Sequence, residues 1–256
     1  AFDQAREEYG YEAPYAPVFP IKVNQNRHLV DSLVSDGHLG LEVGSKSELL
    51  AVMALYSGSD RLVICNGYKD DEYIELALLS RRIGAQTILV IEKESEIERV
   101  LRIGEELGIE PVLGVRAKLG QHGSGRWQES GGDRSKFGLT TRQIVNMVDT
   151  LSGAGKLHCL RLLHFHIGSQ VTNIRAFKSA LGEASRTLAG LHELGVRISW
   201  MDVGGGLGVD YDGSRSDADS SMNDSLQEYA NDVVYHLVEI CAEADMEPPI
   251  LLSESG

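Results

Sequence analysis

Residues 19–25 read FPIKVNQ, an apolar run of strand character that ends in a lysine and then in amides. Amphipathic segments with helix-start and helix-end signals separate further short β-rich runs of this kind. Strict alternation of strand and helix predicts a parallel sheet with helices on its outside. We predict eight strands, at residues 18–23, 39–43, 61–65, 87–91, 111–117, 160–167, 198–203 and 250–253.

The segments between the strands carry recognisable helix punctuation. Capping-box patterns precede apolar runs at three places, Ser45 to Glu48, Ser95 to Glu98 and Thr140 to Gln143. Glycine is expected to end three helices, at Gly84, Gly108 and Gly195. Seven helices between eight strands follow from this punctuation.

Polar residues at the strand ends decide between an open sheet and a closed barrel. An open sheet gathers its ligand at the switch point, whereas a barrel brings the C-terminal ends of all its strands around one mouth. Eight separate strands end in a polar residue: Lys22, Glu42, Asn66, Glu92, Arg116, His166, Asp202 and Glu254. We therefore predict a (β/α)8 barrel of TIM type that stops after its eighth strand.

The composition narrows the classes of partner. The 256 residues carry a formal net charge of −14, and no basic run is longer than Arg81-Arg82, which argues against nucleic acid or a membrane surface. Cys65, Cys159 and Cys241 are scattered without Cys-x-x-Cys spacing, so we expect a reducing, cytoplasmic setting. The first and last residues are expected to be cuts through a longer chain.

Two long polar segments lie between predicted elements. Residues 120–138 are glycine-rich and too long for an ordinary turn, so they are expected to form a lid or to be locally disordered. Residues 210–224 are acidic but lack the regular spacing of a calcium loop. We predict no metal site in either segment.

Lys22 has two interpretations. A lysine at the end of a strand usually extends its ammonium group into solvent. Alternatively, burial in a pocket lowers the pKa of a lysine and allows it to form a Schiff base. The strand-seven segment MDVGGGLGVD bears on this choice, because Gly204, Gly205 and Gly206 let backbone N–H groups approach an anion, and barrels often bind phosphate there.

The sixth strand contains two histidines, and the eighth ends in a glutamate. His164 and His166 point to the same face because strand side chains alternate. They could bind a metal in a hydrolase, but the sequence shows no further ligand cluster, so we interpret His164 as a hydrogen-bonded core residue and His166 as a ring lying on a planar ligand. An amine, a phosphate cradle, an imidazole and the Glu254 carboxylate are together what pyridoxal phosphate requires.

Seven ordered motifs carry a resemblance to a known family. The chain resembles the barrel domain of the biosynthetic arginine decarboxylases, in the alanine racemase-like group that also contains ornithine and diaminopimelate decarboxylases. The resemblance spans nearly the whole chain and rests on FPIKVNQ, LEVGSKSEL, CNGYKD, GSGRW with RSKFGL, LHFHIGSQ, DVGGGLGVDYDG and LLSESG. It implies conversion of L-arginine to agmatine and CO2, a step of polyamine and spermidine biosynthesis.

The resemblance also implies roles for individual residues. Lys22 would form the Schiff base, His166 would stack on the cofactor ring, and Glu254 would pair with the pyridinium nitrogen. The phosphate would lie near Ser169, Gly204, Gly205 and Gly206. A further set is expected to face the substrate: Glu42, which is an aspartate in related ornithine decarboxylases, Asp202, Asp210 and Tyr211.

Part of the implied active site is not in this sequence. The family adds a β-domain with a catalytic cysteine and substrate-binding acids that act across a homo-oligomer interface, and Mg²⁺ is a further implied cofactor. We therefore expect residues 1–256 to be one barrel domain that is inactive by itself. Two alternatives stay open, another decarboxylase such as one for diaminopimelate, and a pyridoxal phosphate-binding protein without catalysis.

Overall fold

The computed structural model describes residues 1–35, 37, 39–55, 60–120, 137–168, 174–206 and 225–255. It contains one closed parallel barrel, in which every strand pairs with the next along the chain and the last pairs with the first. The strands are β1 (Tyr15–Pro20), β2 (Gly40–Val43), β3 (Leu62–Cys65), β4 (Gln86–Ile91), β5 (Leu113–Arg116), β6 (Leu160–His164), β7 (Trp200–Asp202) and β8 (Ile250–Glu254). The predicted (β/α)8 barrel is confirmed.

Helices cover the outside of the barrel. Seven of those described lie between consecutive strands, as predicted, and one precedes β1. Their bounds are α1 (Phe2–Tyr9), α2 (Arg27–Ser35), α3 (Lys46–Leu55), α4 (Asp71–Arg82), α5 (Ser95–Leu107), α6 (Thr141–Gly153), α7 (Ile174–Glu193) and α8 (Leu226–Glu243).

The sequence analysis did not predict α1. Its N-cap is Ala1, which offers no side-chain cap, so the usual start signal is missing. The Phe2 ring nevertheless stacks on Tyr15 of β1 at 4.2 Å between centroids and meets Tyr229 of α8 edge-on at 5.9 Å. Helix α1 therefore covers the outer surface beside the seam between β8 and β1.

The predicted helix starts have three outcomes. The Thr140 box is confirmed in both directions, because its hydroxyl accepts from the Gln143 N–H while the Gln143 side chain accepts from the Thr140 N–H. At Ser45 only the hydroxyl bond to the Glu48 N–H forms. The Ser95 prediction is wrong: Ser95 is already helical, and the N-cap is Glu94, which makes no side-chain cap. Glu96 in the first turn instead accepts the backbone N–H groups of Lys69 and Glu92. The three glycine predictions agree with positive φ angles at Gly84, Gly108 and Gly195.

Strand β1 begins and ends earlier than predicted. It ends at Pro20, and residues 21–23 form a turn closed by a 3.0 Å bond from the Val23 N–H to the Pro20 carbonyl. Asn24 and Asn26 then accept backbone N–H groups of the following residues, which draws the chain toward α2. Lys22 consequently lies on a turn beyond the strand end rather than in the strand.

The barrel interior has two layers of different chemistry. Its lower lumen, at the N-terminal half of the strands, is an apolar cluster of Val18, Ile64, Ile88, Val90, Leu162 and Leu252, with Ala16, Leu62, Val112, Trp200 and Ile250 against it. Gly114 is needed here, because a Cβ on it would lie 2.7 Å from a Leu162 methyl carbon. Toward the C-terminal ends of the strands the inward positions become polar.

Two further observations bear on the predictions from composition. All three cysteines are free and buried, and burial raises the pKa of Cys65 to about 12 and that of Cys241 to about 11, which agrees with purely structural roles. Within the described ranges, no helix combines the length and apolar character needed to cross a bilayer.

Candidate active site

The C-terminal ends of the strands bring together a set of polar side chains that we call the mouth cluster. The turn after β1 contributes Lys22, and all the other members face the interior. The members are Lys22, Glu42, Asn66, Glu92, Arg116, His164, His166, Asp202 and Glu254. All eight strand-end residues predicted from the sequence are in the cluster, and His164 joins them.

Lys22 forms an ion pair with Glu42. Its Nζ lies 3.2 Å from Glu42 Oε2, with the lysine side chain 56% exposed and the glutamate completely buried. Burial lowers the pKa of Lys22, but the carboxylates of Glu42 and Glu254 outweigh it, and the pKa is raised overall. Burial thus acts on this lysine in the expected direction, but the neighbouring carboxylates reverse the net shift of its pKa.

Asn66 joins the two buried carboxylates of the cluster. Its Nδ2 donates to Glu42 Oε1 at 3.1 Å and to Glu254 Oε1 at 2.6 Å. A continuous chain of hydrogen bonds thus connects the Lys22 amine, through Glu42 and Asn66, to Glu254. Sequence reasoning placed Asn66 at the mouth but gave it no role, because a strand-end amide signals no chemistry by itself.

Glu254 ends β8 in a dry position, as predicted. It is 5% exposed, and its pKa is raised to about 8, chiefly by burial and also by Asp202 and Glu42, while His164 and Lys22 oppose the shift. A carboxyl group that titrates near neutrality can exchange a proton with a ligand nitrogen. The environment of Glu254 therefore suits a partner that brings a proton or a positive charge.

His164 and Asp202 form a buried pair beside Glu254. His164 Nδ1 lies 3.1 Å from Asp202 Oδ2, and both side chains are at most 1% exposed. Asp202 Oδ1 accepts the Gly204 N–H at 2.9 Å. The predicted burial of His164 is confirmed, but the predicted hydrogen bond is not found, since neither ring nitrogen has a directed partner among the described residues. Its close neighbour is a carboxylate that sequence reasoning had expected to face the substrate.

His166 lies higher in the mouth and has a different character. Its Nδ1 accepts the Gly168 N–H at 2.9 Å, which fixes the ring. Burial, Arg116 and His164 together lower its pKa well below the usual value, so the imidazole is neutral. A neutral, fixed ring half-buried in the mouth suits contact with a planar ligand.

The glycines after β7 are required by the protein itself. A Cβ on Gly204 would lie 2.7 Å from the Phe165 carbonyl oxygen and 3.1 Å from the His166 ring. A Cβ on Gly205 would lie 1.9 Å from the Glu254 carbonyl oxygen. Gly204 and Gly205 thus bring the backbone of the β7 loop against His166 and Glu254. A phosphate bound by the backbone N–H groups of this loop would also require residues without side chains here.

Arg116 and Glu92 form an ion pair where β5 and β4 reach the mouth. Arg116 Nη1 lies 3.4 Å from both Glu92 oxygens, and the Gly67 N–H donates to Glu92 Oε1 at 2.8 Å. A strand-end position was the only sequence signal for this pair. The positive charge of Arg116 lowers the pKa of His166 and so contributes to the neutral state of that ring.

Some predictions fall outside the residues that the structure describes. These are Ser169, Asp210 and Tyr211, together with residues 121–136 of the first long segment and 211–224 of the second. The two described residues expected to face the substrate, Glu42 and Asp202, are completely buried and hold other members of the cluster. Their contacts favour supporting roles.

Groups of three potential metal ligands occur twice in the described part of the chain. One is Glu110, His158 and Cys159 at the other end of the barrel, and the other is His164, Asp202 and Glu254. The hydrolase interpretation needs His164 and His166 to share an ion. Their ring centroids are 6.4 Å apart, and His166 Nδ1 is occupied by Gly168, so the geometry does not favour it.

The cluster fits pyridoxal phosphate on several observations. An accessible amine (Lys22), a neutral imidazole (His166) and a buried carboxylate (Glu254) lie around one opening. The tight β7 loop places its backbone beside the imidazole and the carboxylate. Asn66 Oδ1 also has no hydrogen-bond partner among the described residues although it is buried. Buried polar atoms of this kind are normally satisfied, so a bound ligand at the mouth would account for it.

Comparison with known proteins places the chain in a family. Residues 1–256 match the family model described as pyridoxal-dependent decarboxylase, pyridoxal binding domain. The chain is 51% identical to biosynthetic arginine decarboxylase of Proteus mirabilis and 52% identical to that of Neisseria meningitidis, covering all of this chain but 40% and 41% of those proteins. It therefore spans about two fifths of the length of the curated relatives it matches.

Solved structures agree with this assignment. Biosynthetic arginine decarboxylase from Campylobacter jejuni superposes with a TM-score of 0.86 at 34% identity, covering 100% of this chain and 41% of that one. Diaminopimelate decarboxylase from Helicobacter pylori, complexed with L-lysine, gives a TM-score of 0.79 at 21% identity over 100% of this chain and 61% of that one, a likeness of fold alone. The chain belongs to the pyridoxal-dependent decarboxylase family, as its pyridoxal-binding domain.

Proposed function

We propose that the protein decarboxylates L-arginine to agmatine and CO2 with pyridoxal phosphate, and that this chain is its cofactor-binding barrel. The observation that carries the proposal is the continuous contact from Lys22 through Glu42 and Asn66 to Glu254. It joins an amine that can hold the cofactor aldehyde to a carboxylate that can hold its ring nitrogen. Bound pyridoxal phosphate supplies an electron sink for the electron pair left when CO2 departs.

Lys22 has the role of covalent attachment. Its amine must lose a proton before it can attack a carbonyl carbon, and Glu42 Oε2, 3.2 Å away, is the nearest base to receive that proton. Burial raises the pKa of Glu42 even though Lys22 opposes it, so the carboxylate is a better base than an exposed glutamate. Glu42 thus acts on the lysine and not on the substrate.

Glu254 and His166 hold the cofactor ring. An ionised Glu254 keeps a proton on the ring nitrogen, because that nitrogen and the carboxylate would form a charge-assisted hydrogen bond in a dry site. The neutral His166 ring provides a flat apolar surface without competing for that charge. The β7 loop, through Gly204, Gly205 and Gly206, and Ser169 would hold the phosphate.

Arginine is the substrate that the comparisons favour. The relatives at 51% and 52% identity are named biosynthetic arginine decarboxylase, whereas the solved diaminopimelate decarboxylases of Helicobacter pylori and M. jannaschii match at 21% and 22%. The mouth cluster serves the cofactor, which all decarboxylases of the group share. Substrate choice therefore depends on groups elsewhere in the protein.

Further parts of the proposal concern the protein as a whole. A second, β-rich domain would supply a catalytic cysteine and substrate-binding acids across a homo-oligomer interface, so the barrel alone is expected to be inactive. We further propose a cytoplasmic location, where agmatine would enter polyamine biosynthesis, with no nucleic acid or membrane partner. The acidic composition supports the last point.

The test is an assay of the protein containing this chain with several amino acids. L-arginine should release CO2 and form agmatine in equal amounts, with diaminopimelate turned over at least about a hundredfold more slowly. Preference for diaminopimelate would establish the second decarboxylase, and cofactor binding without release of CO2 from either would establish a non-catalytic binding protein. The barrel alone should show no turnover in the same assay.

Mg²⁺ is a proposed second cofactor that the same assay can test. We assign no Mg²⁺ site among the described residues. Removal of divalent ions with a chelator should reduce turnover, and added Mg²⁺ should restore it. Unchanged turnover after chelation would remove Mg²⁺ from the proposal.

A further inference from the structure

His164 lies one layer deeper in the barrel than Glu254, because it is in register with Asp202, which in turn pairs with Leu252. It ends β6 in register with Arg116 of β5 on one side and Asp202 of β7 on the other, and it is 1% exposed. His166 lies two residues further toward the mouth on the same face. His164 therefore occupies the layer between the lower lumen and the proposed cofactor position.

Asp202 is fixed as the partner of His164. One of its carboxylate oxygens accepts the Gly204 N–H, and the other lies 3.1 Å from His164 Nδ1. The 3.1 Å contact is an ion-pair distance without hydrogen-bond geometry, because neither imidazole nitrogen nor Asp202 Oδ2 has a directed hydrogen bond to any described residue. A fully buried carboxylate opposite a fully buried imidazole is stable only if the pair shares a proton, because an isolated buried charge is costly.

Glu254 forms the third corner of this arrangement. One ring nitrogen of His164 and one carboxylate oxygen each of Asp202 and Glu254 lie within 4.8 Å of one another. Asn66 fixes Glu254 from the other side through its 2.6 Å bond to Oε1. The Glu254 carboxylate is thus held between a neutral amide and an imidazole.

The charges that face His164 come from several strands. Asp202 of β7 and Glu254 of β8 favour its cationic form, and Glu42 of β2 faces it from across the mouth. Burial opposes the cationic form, as does Arg116 of β5, while His166, two residues beyond the end of β6, is neutral. The two carboxylates outweigh burial and Arg116, so the pKa of His164 is raised.

We propose that His164 is an imidazolium that offsets the negative charge of Asp202 and so favours an ionised Glu254 when the ring nitrogen of the cofactor is bound to that carboxylate. This inference rests on the proposed function. It makes His164 a positioning residue for the proton, since it acts on the cofactor only through Glu254.

The consequence concerns where one proton resides. Glu254 and a ring nitrogen bound to it would share a single proton. Asp202 raises the pKa of Glu254, and the cation at His164 lies beside both carboxylates and opposes that effect. A nearby positive charge favours the ionised carboxylate and so leaves the proton on the nitrogen. Without that charge, the buried carboxyl group would take the proton, and the ring would withdraw electrons less strongly.

The first test measures the charge of His164 without any catalysis. Nitrogen chemical shifts of ¹⁵N-labelled histidine in the cofactor-free protein should show His164 doubly protonated at neutral pH, and His164→Gln identifies its signal. Asp202→Asn should shift its titration to lower pH. A His164 that is neutral at pH 7 in the unmodified protein would overturn the proposal.

The second test follows the ring nitrogen in the loaded protein, with cofactor labelled by ¹⁵N in the pyridine ring. His164→Gln should move the nitrogen signal toward the unprotonated value and lower kcat about tenfold or more, with KM for arginine little changed. His158→Gln, an exposed histidine at the other end of the barrel, is the matched control and should change neither.

The outcomes of the second test separate this inference from the proposed function. A ring nitrogen that stays protonated in a folded His164→Gln protein would contradict the inference, whatever the turnover. Absence of a bound-cofactor absorption band in the unmodified protein would instead contradict the proposed function, and the histidine titration would still decide the charge of His164.

Discussion

The lower lumen of the barrel and the mouth cluster are built from the same strands, two residues apart. Along β3 the inward position changes from Ile64 to Asn66, and along β8 it changes from Leu252 to Glu254. The lower layer buries hydrocarbon and stabilises the fold, whereas the upper layer buries carboxylates that burial itself destabilises. The apolar layer therefore supports the polar layer, because it holds the strand ends in register and so preserves the short contacts of the mouth cluster.

Lys22→Ala should produce the largest effect, because it removes the only proposed covalent bond to the cofactor. Turnover should fall by roughly a thousandfold or more, with loss of the visible band of the attached cofactor and an unchanged fold. Lys46→Ala is the matched control, since Lys46 is a surface lysine paired with Asp70 and Glu72. Equal losses of turnover in the two variants would contradict the claim that the lysine at the mouth, and not a surface lysine, holds the cofactor.

Glu254→Ala should reduce turnover by about a hundredfold while leaving cofactor attachment to Lys22 intact. Attachment depends on the amine and its base, whereas proton retention on the ring depends on the carboxylate. Absorbance and kcat measured on one sample separate the two properties. Turnover near that of the unmodified protein would exclude Glu254 from the mechanism.

Ile64→Ala tests the lower lumen, where we expect the protein to lose stability but not turnover. Deleting a completely buried aliphatic side chain there should lower the free energy of unfolding by about 2–5 kcal/mol, as measured by urea denaturation. In the protein that remains folded, cofactor absorbance and kcat should change little. A variant of full stability with lost turnover would show that the two layers are not separable.

The stability of the cofactor-free protein should depend on pH through Glu254. Its pKa is raised from 4.5 to about 8, so the folded state keeps a proton that the unfolded state loses. This contribution is complete below about pH 4.5, declines as pH rises, and is gone above about pH 8, a loss of roughly 5 kcal/mol. Glu254→Gln cannot titrate, so its stability should fall less over that range, and parallel curves for the two proteins would refute this assignment.

Asn66→Ala should have the smallest effect of the series. It leaves one oxygen of Glu42 and one of Glu254 without their donor, at a cost of about 1–2 kcal/mol in stability. Turnover should fall about tenfold, because Glu254 is less firmly held. Asn66→Asp, which adds a third carboxylate between the two, should be worse than alanine, and an aspartate variant with normal turnover would contradict the bridging role.

The sequence predicted the barrel and most of the mouth cluster for a physical reason. In a parallel barrel, polar residues at strand ends must meet at one opening, so Glu42, Asp202 and Glu254 could be placed before their contacts were known. The pairing partners could not be predicted, because they depend on register: His164 meets Asp202 only because β6 and β7 pair at those positions. The raised pKa of Lys22 was missed for the same reason, since it depends on carboxylates that other strands bring close to it. Helix α1 was missed because it starts without a capping side chain.

The most direct test of the central claim is to find the lysine that binds the cofactor. Borohydride reduction of the protein with bound pyridoxal phosphate fixes the cofactor to that lysine, and peptide mass mapping then identifies it. The account predicts a single pyridoxyl group on Lys22, at the mouth of the barrel. A pyridoxyl group on Lys46, Lys69 or Lys136 instead would contradict the assignment of the mouth cluster as the cofactor site.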